Sequence, residues 1–128
     1  MSPTATAVAT RTLYERLGGN PGITAIVSDI VDAHIANPVV GRHFSKLKDV
    51  ALTKRMARDF FCAGAGGPEK YAGKDMRAAH KGMNINDDEF DAVVDDVMVV
   101  LTRHGIDEAT KKDVLGILHS LKSEVVGL

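Results

Sequence analysis

Apolar residues recur at spacings of three, four, seven and eight along almost the whole chain, and no stretch alternates apolar with polar residues between hairpin turn pairs. The fold class this predicts is all-α. Glycine, proline and capping residues cut the pattern into segments. Thr12 and Glu15 stand at capping-box spacing for a short first helix that Gly18 and Gly19 would stop. Asn20 is placed to cap the next helix, with Pro21 at its first position and Ile23, Ile26, Val27, Ile30, Val31 and Ile35 as its stripe up to Asn37-Pro38. Asp49 caps a third helix carrying Leu52, Met56 and Phe60, closed by the glycines before Pro68. Asn86 and Glu89 make a second capping-box start for a helix with Phe90, Val93, Val94, Val97, Met98 and Leu101 on its stripe, stopped at Gly105. Asp107 caps the last, in which Val114, Ile117, Leu118, Leu121 and Val125 point one way. Between Pro68 and Asn86 the period fades, leaving one or two helical turns around Asp75 to Lys81 in a segment suited to function.

A chain of 128 residues is enough for one domain with its own core, expected over residues 12–128 after a loose, flexible extension over 1–11. Its 16 basic and 17 acidic residues cancel to a formal charge of −1, which points away from nucleic acid and from a charged membrane surface. No run reaches the roughly 18 apolar residues of a spanning helix, and the N-terminus lacks an apolar signal core. Cys62 is the single cysteine, so an intrachain disulfide is excluded and a cytoplasmic, reducing location is expected.

Five histidines are the main candidates for metal ligation, and their spacing matches no zinc motif. His104 beside the Gly105 stop and His119, about 140° from the stripe begun by Val114, read as surface residues. His43 lies in a segment without periodicity and reads as a solvated side chain. His34, eleven residues after Ile23, falls on the apolar stripe, where it reads as a core histidine bonded to a backbone carbonyl or as a ligand. His80 follows Met76 by four in the short helix, and periodicity alone does not choose between packing and ligation for it.

The run Leu13-Tyr14-Glu15-Arg16-Leu17-Gly18-Gly19 resembles the opening of group-one truncated haemoglobins. Phe44 resembles the phenylalanine that packs on haem in globins. Phe60-Phe61 with Gly66-Gly67-Pro68-Glu69-Lys70-Tyr71 resembles the family's distal helix end and glycine corner, and Met76-Arg77-Ala78-Ala79-His80-Lys81 its proximal segment. The resemblance runs from Leu13 to about Val126. It implies a truncated-globin, two-over-two helical sandwich around haem b, with His80 as the iron's ligand. It also implies Val31, Phe44, Met56 and Phe60 on the distal side or edge, Met76 and Val94 on the proximal side or periphery, and Lys70 and Tyr71 near the propionates.

The same comparison marks a departure. Val31 stands where the family usually carries a tyrosine that bonds bound oxygen, and Thr53 and Ala57 stand where polar residues commonly assist it, so only Thr53 keeps a donor. The expected function is reversible binding of oxygen, nitric oxide or carbon monoxide in a largely apolar pocket. The alternatives are an enzyme performing nitric oxide dioxygenation or weak peroxidase chemistry with an external reductase, and a small helical interaction domain without haem. Met56 and His34 are the candidates for an internal sixth ligand to iron, with an open sixth position expected in the ferrous state. A monomer or weak dimer is expected.

Overall fold

The computed structural model describes residues 11–44 and 48–127, and the extension expected over residues 1–11 lies outside them but for Arg11. Seven α-helices follow one another among the described residues: α1 (Leu13–Arg16), α2 (Gly19–Ala36), α3 (Gly41–Phe44), α4 (Val50–Gly64), α5 (Met76–His80), α6 (Asp87–Arg103) and α7 (Glu108–Ser120), then a 3₁₀ turn over Lys122–Glu124. The described residues contain no strand, only an isolated parallel bridge between Ile85 and Val126.

The helices start where their side chains can absorb the free N–H groups of a first turn. Thr12 with Glu15, and Asn86 with Glu89, form reciprocal capping boxes, while Asp49, Asp75 and Asp107 each accept from the backbone N–H three residues on. One expected cap differs. Helix α2 begins at Gly19 behind Gly18, whose φ of 97° only glycine adopts cheaply, and Asn20 turns its amide instead to Glu69, 2.8 Å away.

Helix α2 is the central element, packing across both α4 and α6, while α6 packs on α7 and α1 closes against α2 and α7. Its stripe of Ile23, Ile26, Val27, Ile30 and Val31 is buried with Leu17, Cys62, Val97, Val100, Leu101 and Val114. Ile35, expected on that stripe, is 38% exposed, and His34 is buried in its place. At about 100° per residue His34 returns to within about 20° of Ile23, whereas Ile35 stands about 120° away. Ile85, Phe90, Val94 and Val125 make a second buried cluster; Val125 reaches it from beyond the 3₁₀ turn rather than from the last helix.

Glu89 ties the α3 corner to the start of α6. Its carboxylate accepts from the Asn86 N–H, from the His43 ring at 2.6 Å and from Arg42 at 3.0 Å, with its side chain 5% exposed. Burial works to raise its pKa, but these donors outweigh burial and hold the carboxyl below its ordinary value. A depressed folded-state pKa contributes stability that is present above the unfolded value, about 4.3, and is lost as pH falls through the lower folded one. Chemical denaturation at a series of pH values should therefore show Glu89→Gln less stable than the wild type near neutrality and flatter below about pH 4. Parallel curves for the two proteins would refute this role.

Candidate functional site

A cavity of about 820 Å³ opens among these helices, inside the range of about 300–1,000 Å³ usual for small-molecule and cofactor sites. Helix α2 contributes Val27, Ile30, Val31 and His34, and the α3 corner His43 and Phe44. Helix α4 contributes Leu52, Thr53, Met56, Ala57, Phe60 and Phe61. Met76 and His80 come from α5, Met83 and Ile85 from the loop after it, and Phe90, Val93 and Val97 from α6. Tyr71 and Lys74 approach from the segment before α5, and the C-terminal turn adds Leu121 and Val125.

The short helix α5 exists because Asp75 caps it, its carboxylate accepting the Ala78 N–H at 2.7 Å. One turn later the His80 ring lies 2.7 Å through Nδ1 from the Met76 carbonyl. A carbonyl only accepts, so Nδ1 carries the proton and Nε2 of the neutral ring carries a lone pair. Nε2 has no hydrogen-bond partner among the described residues. This is the arrangement in which a histidine binds a metal: one nitrogen fixed as donor, the other free as ligand.

Of the residues singled out in the sequence, Val31, Phe44, Thr53, Met56, Ala57, Phe60, Tyr71, Met76 and His80 meet at this cavity. Two do not. Lys70 is exposed and off the wall; Tyr71 donates its hydroxyl to the Lys74 carbonyl at 2.6 Å, a turn that brings Lys74 to the lining instead. Val94 is buried in the second core cluster beside Phe90 and is not on the cavity lining, which α6 supplies through Phe90, Val93 and Val97.

His34, placed on the buried stripe by periodicity, and His43, read as solvated, are wall residues whose partners periodicity does not give. His34 is 6% exposed and bonds not a backbone carbonyl but the Asp96 carboxylate, Nδ1 to Oδ2 at 2.8 Å, with its ring 5.2 Å from that of Phe44. Asn37 also donates to Asp96, at 3.1 and 3.2 Å. Burial lowers the His34 pKa, against the pull of Asp96. His43, expected in solvent, is instead half-buried with its ring on Glu89. No local signal marks either pairing, since the acidic partners lie 62 and 46 residues away. His104, bonded to Asp29 at 2.7 Å, and His119 are exposed as expected.

The glycine corner after α4 is anchored separately. Glu69 accepts from the Tyr14 hydroxyl at 2.9 Å and from Asn20, and its pKa is lowered chiefly by the Asn20 bond. Burial pushes the Cys62 thiol up to about 11, so it stays protonated and inert.

An all-helical chain with a large, mainly apolar cavity and one histidine presenting a bare, backbone-oriented nitrogen has the donor set and shape of a haem-binding protein. The family model for bacterial-like globins matches residues 12–126. A group 1 truncated haemoglobin of Tetrahymena pyriformis is 31% identical over 117 residues, spanning 91% of this chain and 96% of that protein. Its Fe(III) crystal structure superposes with a TM-score of 0.86 at 30% identity, covering 92% of this chain and all of that one. The 2/2 haemoglobin of a Synechococcus species, solved in the cyanomet state with covalently attached haem, gives 0.80 at 27% identity over 89% of this chain and 95% of its own. The chain belongs to the bacterial-like globin family, among its group 1 truncated haemoglobins, with the two-over-two fold and the haem cofactor of that family.

Removing the carboxylate behind His34 leaves a buried ring N–H unsatisfied, which costs about 1–3 kcal/mol. Asp96→Ala should lose stability in that range by urea unfolding. A loss no larger than that of an exposed substitution would show that water replaces the carboxylate.

Proposed function

We infer that His80 Nε2 is the protein's ligand to the iron of a noncovalently held haem b, and that the chain reversibly binds oxygen, nitric oxide or carbon monoxide beside it. The bond from His80 Nδ1 to the Met76 carbonyl carries this reading, because it fixes the ring as a ligand with one free nitrogen. When bound, haem supplies the iron position at which a gas ligates. The protein's own side chains supply the surroundings: Phe44, Met76 and Phe60 the apolar contacts, Lys74 rather than Lys70 the cation for a propionate.

Val31, Met56 and Ala57 face the ligand without a hydrogen-bond donor. Thr53 has one, but its hydroxyl donates to the Asp49 carbonyl at 3.2 Å within its own helix. A ligand that gathers negative charge is stabilised by donors aimed at it, and oxygen is such a ligand, whereas carbon monoxide is nearly indifferent. Oxygen is therefore held loosely. The same shortage favours ligand binding over nitric oxide dioxygenation or peroxidase turnover with an external reductase. Met56 packs as part of the wall, and the sixth position of the ferrous iron stays open.

His80→Ala should abolish or grossly weaken haem incorporation, read as loss of the Soret band in the purified protein. If that variant keeps an unchanged spectrum while a change at another histidine removes it, the ligand is not His80. Placing a phenol in the pocket with Val31→Tyr should slow oxygen release about tenfold, equivalent to about 1.4 kcal/mol, with carbon monoxide release little changed. Slow oxygen release from the unmodified protein would mean that a donor reaches the pocket after all.

A further inference from the structure

Five polar side chains on the cavity wall share one feature. Thr53 donates to the Asp49 carbonyl, Tyr71 to the Lys74 carbonyl, His80 to the Met76 carbonyl, His34 to Asp96 and His43 to Glu89. All five partners are acceptors, so each of these side chains has spent its proton on the protein. What they leave for the cavity is lone pairs: the oxygens of Thr53 and Tyr71 and, wherever a ring is neutral, the second nitrogen of a histidine. Among the described residues Lys74, exposed, is the lining side chain with donors to spare. The cavity is thus a poor host for ligands that need a hydrogen bond donated to them and a suitable one for ligands that bring a proton of their own.

We propose that this pocket selects weak protic acids, H–X, that ligate ferric iron as the anion X⁻, and that His34 accepts their proton. The proposal rests on the haem reading above. His34 stands three residues after Val31 on the same face of α2, so it borders the ligand side of the pocket. Its Nδ1 is committed to Asp96, and Nε2 has no partner among the described residues. Asp96, on α6, is the charged group set against the ring; Phe44 on α3 and Asn37 bring no charge. Burial disfavours the charged ring, which leaves Nε2 a lone pair before the ligand arrives, and Asp96 with the incoming anion offsets that cost once the proton has moved.

In the binding step the H–X bond breaks and its electron pair stays on X, which takes the iron's open position. The proton ends on His34 Nε2. The imidazolium so formed keeps its Nδ1–H bond to the Asp96 carboxylate and donates from Nε2 toward the anion, directly or through a water. Nothing is oxidised or reduced. Hydrogen sulfide and hydrogen cyanide belong to this chemical class; carbon monoxide, with no proton to give, does not.

Hydrogen cyanide is the probe, added to the haem-loaded ferric protein near pH 7 in weakly buffered solution with a pH indicator. If His34 takes the proton, the wild type releases much less than a full proton per cyanide bound, and His34→Leu releases close to a full one. Cyanide association should also slow about tenfold in His34→Leu, while carbon monoxide association to the ferrous protein stays near the wild-type value. Asp96→Asn is the second variant, chosen to keep the volume of the pair. Its amide can donate to Nδ1, moving the ring proton to Nε2 and turning the base into a donor. Proton release should then be complete and oxygen release slower. Full proton release by the wild type, equal release in all three proteins, or equal slowing of cyanide and carbon monoxide would overturn the proposal. Absence of a Soret band after reconstitution with haem would instead remove the haem reading, and this proposal with it, before any proton is counted.

Discussion

A carboxylate taken into a protein interior has to be met by donors, and two carboxylates of α6 impose this condition on the cavity wall. Glu89 is met by His43, Arg42 and the Asn86 N–H; Asp96 is met by His34 and Asn37. The donors sit on the end of α2 and on the α3 corner, so the two sets of bonds draw both against α6. Phe44 follows His43 directly and lies against the His34 ring, so its place is set by these same bonds. Large apolar residues packed by dispersion alone would tend to fill a cavity of this size. Directional bonds to the buried Glu89 and the half-buried Asp96 hold its frame open.

The same bonds decide the chemistry of the space they enclose. A side chain with a single proton uses it once. Because the lining hydroxyls and rings donate back into backbone or carboxylate, the cavity presents acceptors and hydrocarbon. For His80 that is the condition for ligating a metal, since only a nitrogen without its proton can do so. For Thr53 it removes the one donor that the α4 wall offered. One rule, applied at several residues, accounts for the free second nitrogen of His80 and for the shortage of hydrogen-bond donors on the wall.

The opening of the chain and the corner after α4 are joined by a third carboxylate. Glu69 accepts hydrogen bonds from Tyr14 and Asn20, and a Cβ on Gly67 would run into the Tyr14 ring, so glycine is required there for the close approach. The corner positions Tyr71, whose ring packs on Phe60 at 5.2 Å, and beyond it the approach to α5. Cys62 sits inside this arrangement as a small buried filler.

The sequence by itself determined the helices other than α3, most of their starts and stops, and most of their buried faces, because capping and amphipathic period act over three or four residues and are complete in the local chain. The order of motifs from the double glycine to His80 was enough to pick out the ligand candidate. What only the tertiary structure decided was how the side chains pair across helices. Asn20 left its own cap for Glu69, His34 took Asp96 rather than a carbonyl, and His43 left solvent for Glu89. Val93 and Lys74 reached the cavity where Val94 and Lys70 were expected. Each outcome depends on a partner far along the chain or on the few tens of degrees by which a helix is rotated against its neighbour, and periodicity contains neither. Where a proton goes is settled by the acceptor that folding brings beside it.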